Sequence, residues 1–289
     1  MKDALTRFLF ENAAIRGELV HLDATWRQVL QHQDYPAPLR RAMGELMAAA
    51  ALLAATLKLK GSLILQILGT GPVSLLVVEC TGDLALRATA KWQGELPQGG
   101  LRELAGDGRC VITLDPKNGQ QSYQGIVPLE GDSVQEILQS YMTRSEQLDT
   151  RLFLACDDGH ATGLLLQKLP GEQGHDDDAW QRLGMLAETV KPAELLRLDT
   201  LTLLHRLFHE ENVRLFENQP LHFFCTCSRD SVANMLRLLG RPEIDGVIAE
   251  RGEVEVHCDF CNHRYGFDAV DIEQVFAGAI QTPPNATRH

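Results

Sequence analysis

Phe224-Cys225-Thr226-Cys227-Ser228-Arg229 and the run Gly252-Glu-Val-Glu-Val-His257-Cys258-Asp-Phe-Cys261-Asn-His-Arg-Tyr-Gly-Phe-Asp268, with thirty residues between Cys227 and Cys258, decide how the C-terminal part of this chain folds. Two cysteine pairs at short spacing in one small unit present four thiolates, the donor set of a tetrahedral zinc centre. The first pair is C-x-C, tighter than the usual C-x₂₋₄-C. Residues 253–257 alternate as a strand and 264–267 can return as its partner. Cys258 and Cys261 therefore sit on the turn of a hairpin. A thioredoxin-type C-x-x-C stands instead at a helix N-terminus, and no helix signal follows Cys261. His222, His257 and His263 flank the pairs, and each can replace a cysteine as ligand. Between the pairs, Val232, Met235, Leu236 and Leu239 fall at helical spacing, with Ser228 or Asp230 as cap.

Working outward, residues 179–211 read as helical. Leu195, Leu196, Leu203, Leu204, Leu207 and Phe208 give the stretch one or two apolar faces. Ahead of it, 169–178 (LPGEQGHDDD) has a linker's composition. Further upstream, helix and strand signals alternate. Residues 23–33 and 39–57 look helical, broken by Pro36 and Pro38. Segments 63–68, 73–80 and 84–90 look like strands between glycine turns. Segments 110–114 and 121–127 flank Asn118-Gly119, a hairpin signal. Residues 133–145 look helical, and 152–156 with 162–167 pair around Asp158-Gly159. The reading is an α+β fold: an N-terminal mixed sheet-and-helix core (1–170), a helical linker (171–220) and a small C-terminal zinc-binding domain (221–289).

The whole chain, 289 residues with 44% apolar content, suits about two globular domains. Its net charge is −12, and residues 220–289 carry six Arg and no Lys against ten acidic residues. That balance speaks against nucleic acid as a partner. The longest apolar run, 46–57, has 12 residues, where a membrane span needs about 20. It reads as a buried helix, so no membrane association is expected. No secretory leader is read in residues 1–20, which points to the cytoplasm and to reduced cysteines. Cys80, Cys110 and Cys156 lie singly in apolar strands and read as structural. There is no phosphate-binding G-x-x-x-x-G-K-[ST], no G-x-S-x-G and no H-E-x-x-H. No catalytic residue is assigned, and the chain is read as a non-enzyme.

On the two cysteine runs the chain resembles the thirty-three-kilodalton heat-shock protein family, the redox-regulated bacterial holdase chaperones. Ile15-Arg16-Gly17-Glu18, residues 71–76 (GPVSLL), Ser145-Glu146-Gln147 and residues 165–170 (LLQKLP) extend the resemblance over nearly the whole chain. It implies one zinc per chain on Cys225, Cys227, Cys258 and Cys261 in a reduced, inactive form. Oxidation to two disulfides, Cys225–Cys227 and Cys258–Cys261, then expels zinc and unfolds the linker. The activated form is implied to be a homodimer that binds unfolding clients and passes them to ATP-dependent chaperones. Structural zinc contributes about 10–16 kcal/mol to small domains, so losing it should melt so small a unit. Cys225 and Cys227 close a tight ring, strained and readily reduced, which suits a reversible switch. Two other functions compete on residues alone: a thiol–disulfide oxidoreductase using Cys258 and Cys261, and a zinc-ribbon nucleic-acid binder.

Overall fold

A computed structural model describes residues 3–57, 60–116, 121–169 and 178–277. Two compact units divide at Phe224–Cys225. The first contains β1 (Ala4–Phe10), β2 (Ile15–Leu22), α1 (Ala24–Gln31), α2 (Ala37–Thr56), β3 (Gly61–Leu68), β4 (Val73–Thr81), β5 (Ala85–Trp92), α3 (Leu101–Ala105), β6 (Arg109–Pro116) and β7 (Tyr123–Pro128). It continues with α4 (Val134–Arg144), β8 (Thr150–Cys156), β9 (Ala161–Lys168), α5 (Ala179–Glu188), α6 (Pro192–Arg197), α7 (Thr200–Phe208), β10 (Val213–Leu215), β11 (Gln219–Pro220) and β12 (His222–Phe223). The Asn118-Gly119 turn and most of the acidic stretch 169–178 lie outside the described residues.

Helix α2 explains the longest apolar run. It starts after Pro36, with Pro38 in its first turn, where a missing N–H costs nothing. It is buried on nearly every side because it packs against strands of both sheets of this unit. Small alanines allow that close approach. A Cβ on Gly44 would come within 2.2 Å of the Cys156 sulfur, so backbone and strand nearly touch there. Among the described residues no helix is long and apolar enough to cross a membrane.

One sheet has the order β10-β1-β2-β9-β8, with β11 also on β1; the other runs β12-β5-β4-β3-β6-β7. All pairs are antiparallel except β12 with β5. The first sheet is covered on both faces. Val20, Leu22 and Leu165 belong to the α2 core, while Ile15, Leu19, Leu164 and Leu166 join α5, α6 and α7. Phe10 meets Phe208 of α7 edge-on, with ring centroids 5.1 Å apart. The 179–211 stretch is thus three short helices. Asp199 caps the last, accepting from the Thr202 N–H at 3.1 Å. Glu194 accepts from the Lys191 N–H at 2.9 Å in front of α6.

Strands β1 and β2 were not anticipated. Arg7, Arg16 and Glu18 interrupt their apolar pattern, yet Glu18 is only 1% exposed. Its Oε1 lies 3.6 Å from Arg7 Nε across the pair. Burial raises the Glu18 carboxyl to about 7 despite Arg7 and Arg16.

His21 follows on β2, 5% exposed, with no hydrogen-bond partner on either ring nitrogen among the described residues. Burial first of all pushes it down to about 4. A folded value below the unfolded one of about 6.5 means its contribution is complete above that pH and is lost as pH falls toward 4. The full loss is on the order of 3 kcal/mol by that linkage. Glu18, raised instead of lowered, has the opposite slope, so a variant is needed to isolate His21. His21→Leu is expected to gain on the parent steadily from pH 6.5 to pH 4.5 in denaturant titrations. Trp26, Trp92 and Trp180, the three tryptophans of the chain, all lie in this unit, so their fluorescence reports it alone. A pH-independent difference would disprove this assignment.

The second unit holds α8 (Arg229–Leu239), α9 (Arg241–Arg251), β13 (Glu253–His257), β14 (Arg264–Asp268) and α10 (Ala269–Ala277). The hairpin and α8 fall where the sequence places them. Of the four apolar positions expected to face the core from α8, Val232 and Leu236 do. Met235 and Leu239 are 41% and 51% exposed, because the small core covers only one narrow stripe of the helix. Helices α9 and α10 were not anticipated. Helix α9 buries only Ile244, so it carries no apolar period, although Pro242 near its start and Gly252 at φ 80° beyond its end are ordinary boundary signals.

Candidate metal centre

Two knuckles bring the four cysteines together. In the first, Cys225 and Cys227 lie on irregular chain just before α8. Ser228 then caps the helix, accepting from the Ser231 N–H at 3.1 Å. In the second, Cys258 and Cys261 occupy the turn between β13 and β14, whose register runs from Glu253 opposite Asp268 to His257 opposite Arg264. The Cys258 N–H donates to His263 O at 3.0 Å, and the Asn262 N–H donates to Cys258 O at 2.8 Å. Asn262 takes the left-handed conformation, φ 54°, that lets the chain turn back.

All four sulfurs lie within 4.8 Å of one another. The separations Cys225–Cys258 and Cys227–Cys261 are 3.6 and 3.4 Å. A tetrahedral ion at about 2.3 Å from each sulfur requires S···S edges of about 3.8 Å. The donor set therefore fits a thiophilic metal ion. Electrostatics agrees: burial, together with the sulfurs of Cys227, Cys225 and Cys258, pushes the Cys261 thiol well up. A cation among the sulfurs reverses that balance.

Among the described residues this is the one group of three or more potential ligands gathered closely enough to hold a metal ion. None of the flanking histidines is a member of that group. His257 pairs with Glu255 at 2.6 Å and Asn262 at 3.2 Å. The His263 ring lies against Tyr265, centroids 4.6 Å apart, and that of His222 against Phe224 at 6.4 Å. Cys261 leads into strand β14 and not into a helix, so the dipole that lowers a redox-enzyme thiol is missing from that position. Sequence reasoning passed over one neighbour: the Tyr265 hydroxyl donates to Cys227 Sγ at 3.1 Å.

Cys80, Cys110 and Cys156 lie on β4, β6 and β8 of the first unit and are not members of this group. Burial pushes the Cys110 thiol up to about 12 and those of Cys80 and Cys156 higher still, which makes them poor nucleophiles. The variant with all three changed to Ala is expected to match the parent in metal content, both before and after peroxide treatment. Metal analysis of the two proteins checks this; a folded triple variant whose metal content departs from the parent's would count against it.

A two-sheet α+β unit, followed in the same chain by a small unit around four converging thiols, defines a two-unit protein with a candidate metal centre in the second unit. Comparison with known proteins places it further. The family model described as Hsp33 protein matches residues 3–268. The chain is 57% identical over 291 residues to the 33 kDa chaperonin of Methylobacillus flagellatus, with 100% of this chain and 99% of that protein covered. It is 50% identical over 288 residues to the 33 kDa chaperonin of Nitrosococcus oceani, at 100% and 99% coverage. The crystal structure of the 33 kDa chaperonin (heat shock protein 33 homolog) of Thermotoga maritima superposes with a TM-score of 0.83, covering 97% of this chain and 100% of that one. At 21% identity that likeness concerns the fold. The chain belongs to the Hsp33 family.

Proposed function

We propose that this protein is a redox-regulated, ATP-independent holdase chaperone of the cytoplasm, inactive while reduced and zinc-bound. The observation that carries the reading is the four-thiol centre inside a unit with little core of its own. Residues 221–289 act as the switch, 171–220 as the metastable linker and 1–170 as the client-binding core. Cys225, Cys227, Cys258 and Cys261 hold one zinc per chain. When bound, zinc supplies a tetrahedral cross-link and keeps the four sulfurs as thiolates.

Peroxide is the oxidant for which the chemistry balances. A cysteine sulfur attacks one peroxide oxygen, the O–O bond breaks, and water leaves with a proton taken up. The resulting sulfenic acid is attacked by a second thiolate, forming S–S and expelling hydroxide, which takes up a second proton and leaves as water. Each disulfide removes two electrons and consumes one peroxide. Four thiolates thereby become Cys225–Cys227 and Cys258–Cys261, and the centre loses the donors that hold an ion. The separations of 3.6 and 3.4 Å run across the knuckles, yet those cross pairs close long loops and depend on the folded unit. Partners two and three positions apart stay close as the unit opens, and this favours the sequential pairing.

The opened protein binds unfolded or partly unfolded clients as a homodimer and later hands them to ATP-dependent chaperones. Light scattering from an aggregating client tests the function. Oxidised protein is expected to suppress aggregation without ATP, and reduced zinc-loaded protein to leave it unchanged. Equal suppression by both forms would remove the redox control. Peptide mapping of the oxidised chain reads the disulfide pairing directly.

A further inference from the structure

The four sulfurs differ in what surrounds them. Tyr265 stands opposite Val256 in the β13–β14 hairpin, and its ring is only 9% exposed in the core of the second unit. From there its hydroxyl reaches the other knuckle and donates to Cys227 Sγ at 3.1 Å. The His263 ring closes on the tyrosine edge-on, and Val254 and Phe267 belong to the same core. The hydroxyl is thus held on the sulfur by a packed ring, not by a mobile surface chain.

We propose that Tyr265 is a positioning residue that sets how readily the centre is oxidised. A hydrogen bond to a thiolate withdraws electron density from sulfur. It stabilises the metal-bound form and weakens the attack of that sulfur on peroxide. Because the bond also joins the Cys225–Cys227 knuckle to the hairpin, it keeps Cys227 in place until the oxidant is abundant. The inference rests on the zinc and redox reading above. Its chemistry is the peroxide step already balanced, in which Cys227 supplies the electron pair more slowly.

Tyr265→Phe keeps the ring and removes only the donor. Three measurements on the full-length chain test it. A chromogenic chelator follows zinc release by peroxide, and Y265F is expected to release about three- to tenfold faster, part of the worth of a charge-assisted hydrogen bond. A sulfenic-acid-trapping reagent with mass spectrometry is expected to show more adduct on Cys227. In the cobalt-substituted protein the sulfur-to-cobalt charge-transfer band is expected to move to lower energy, a shift that a loss of packing alone does not produce. Replacing Tyr265 by 3-fluorotyrosine keeps the ring and strengthens the donor. Release should then slow, which holds the test open even where Y265F folds poorly. Unchanged release and an unmoved band in both variants would overturn the inference. A parent protein that binds no zinc, or keeps it under peroxide, would instead overturn the reading beneath it.

Discussion

Changing Cys258 to Ser is expected to remove zinc from the reduced protein and to unfold the second unit with it. The serine hydroxyl stays protonated near neutral pH and offers no anionic donor in place of the thiolate. Three sulfurs remain, two of them on the other knuckle. The unit cannot compensate from its own packing. Its core is Val232, Ala233, Leu236, Ile244, Val254, Tyr265, Phe267, Ile272 and Val275, and five of these reach only 6–9% exposure. Against so small a core, a metal contribution of about 10–16 kcal/mol decides whether the unit folds at all. Surface ion pairs such as Arg229–Asp271 at 2.8 Å and Arg264–Glu253 at 2.9 Å add little, being half-exposed. The expected result is a zinc content near zero and loss of the amide protection of β13 and β14. Amide protection of β4 should stay unchanged, since β4 belongs to the first unit and lies between β3 and β5. Undiminished zinc in the C258S protein would sink the four-thiolate centre.

That centre was legible in the sequence because its geometry is mostly local. One or two residues between cysteines fix each pair, and the alternation of 253–257 places the second pair on a hairpin turn. What depends on the meeting of distant elements was not legible. Tyr265 stands four residues beyond Cys261 with an ordinary core alternation, Tyr265 then Phe267. Only the folded unit brings its hydroxyl to Cys227. The same reason hid β1 and β2. A strand buried on both faces shows no in-and-out pattern, and Arg7, Arg16 and Glu18 read as solvent-facing until Arg7 and Glu18 meet across the strand pair. Strands β3, β4 and β5 were readable because glycine-rich turns bound them. Helix α9 was not, because a helix that buries a single Ile244 carries no period to read.

Oxidation that empties the centre is expected to release α5, α6 and α7 from the first sheet while the α2 core stays folded. These helices are short, 10, 6 and 9 residues. Isolated helices below about 12–15 residues are marginal in water, so tertiary contact stabilises them. Their contact is one apolar face: Leu183, Leu195, Leu203, Leu207 and Phe208 laid on Phe8, Phe10, Leu19, Leu164 and Leu166. The chain that follows them is held by short ladders, β10 and β11 on β1 and two residues of β12 on β5. Cys225 comes two residues after β12. Once the second unit is unfolded, nothing folded continues the chain beyond those ladders, and opening from this end needs few bonds to break. Both the helices and the sheet face beneath them would then present apolar surface to a client. Hydrogen exchange on reduced and oxidised protein measures this. Amides of residues 195–208 are expected to lose protection together with those of 225–267, by a factor of 100 or so if about 3 kcal/mol of local stability is lost. Amides of β4 should keep theirs, since β4 lies between β3 and β5 over α2. If 195–208 stays as protected as β4 in oxidised protein that suppresses aggregation, the helices are not the moving part. The client surface must then come from the second unit or from assembly.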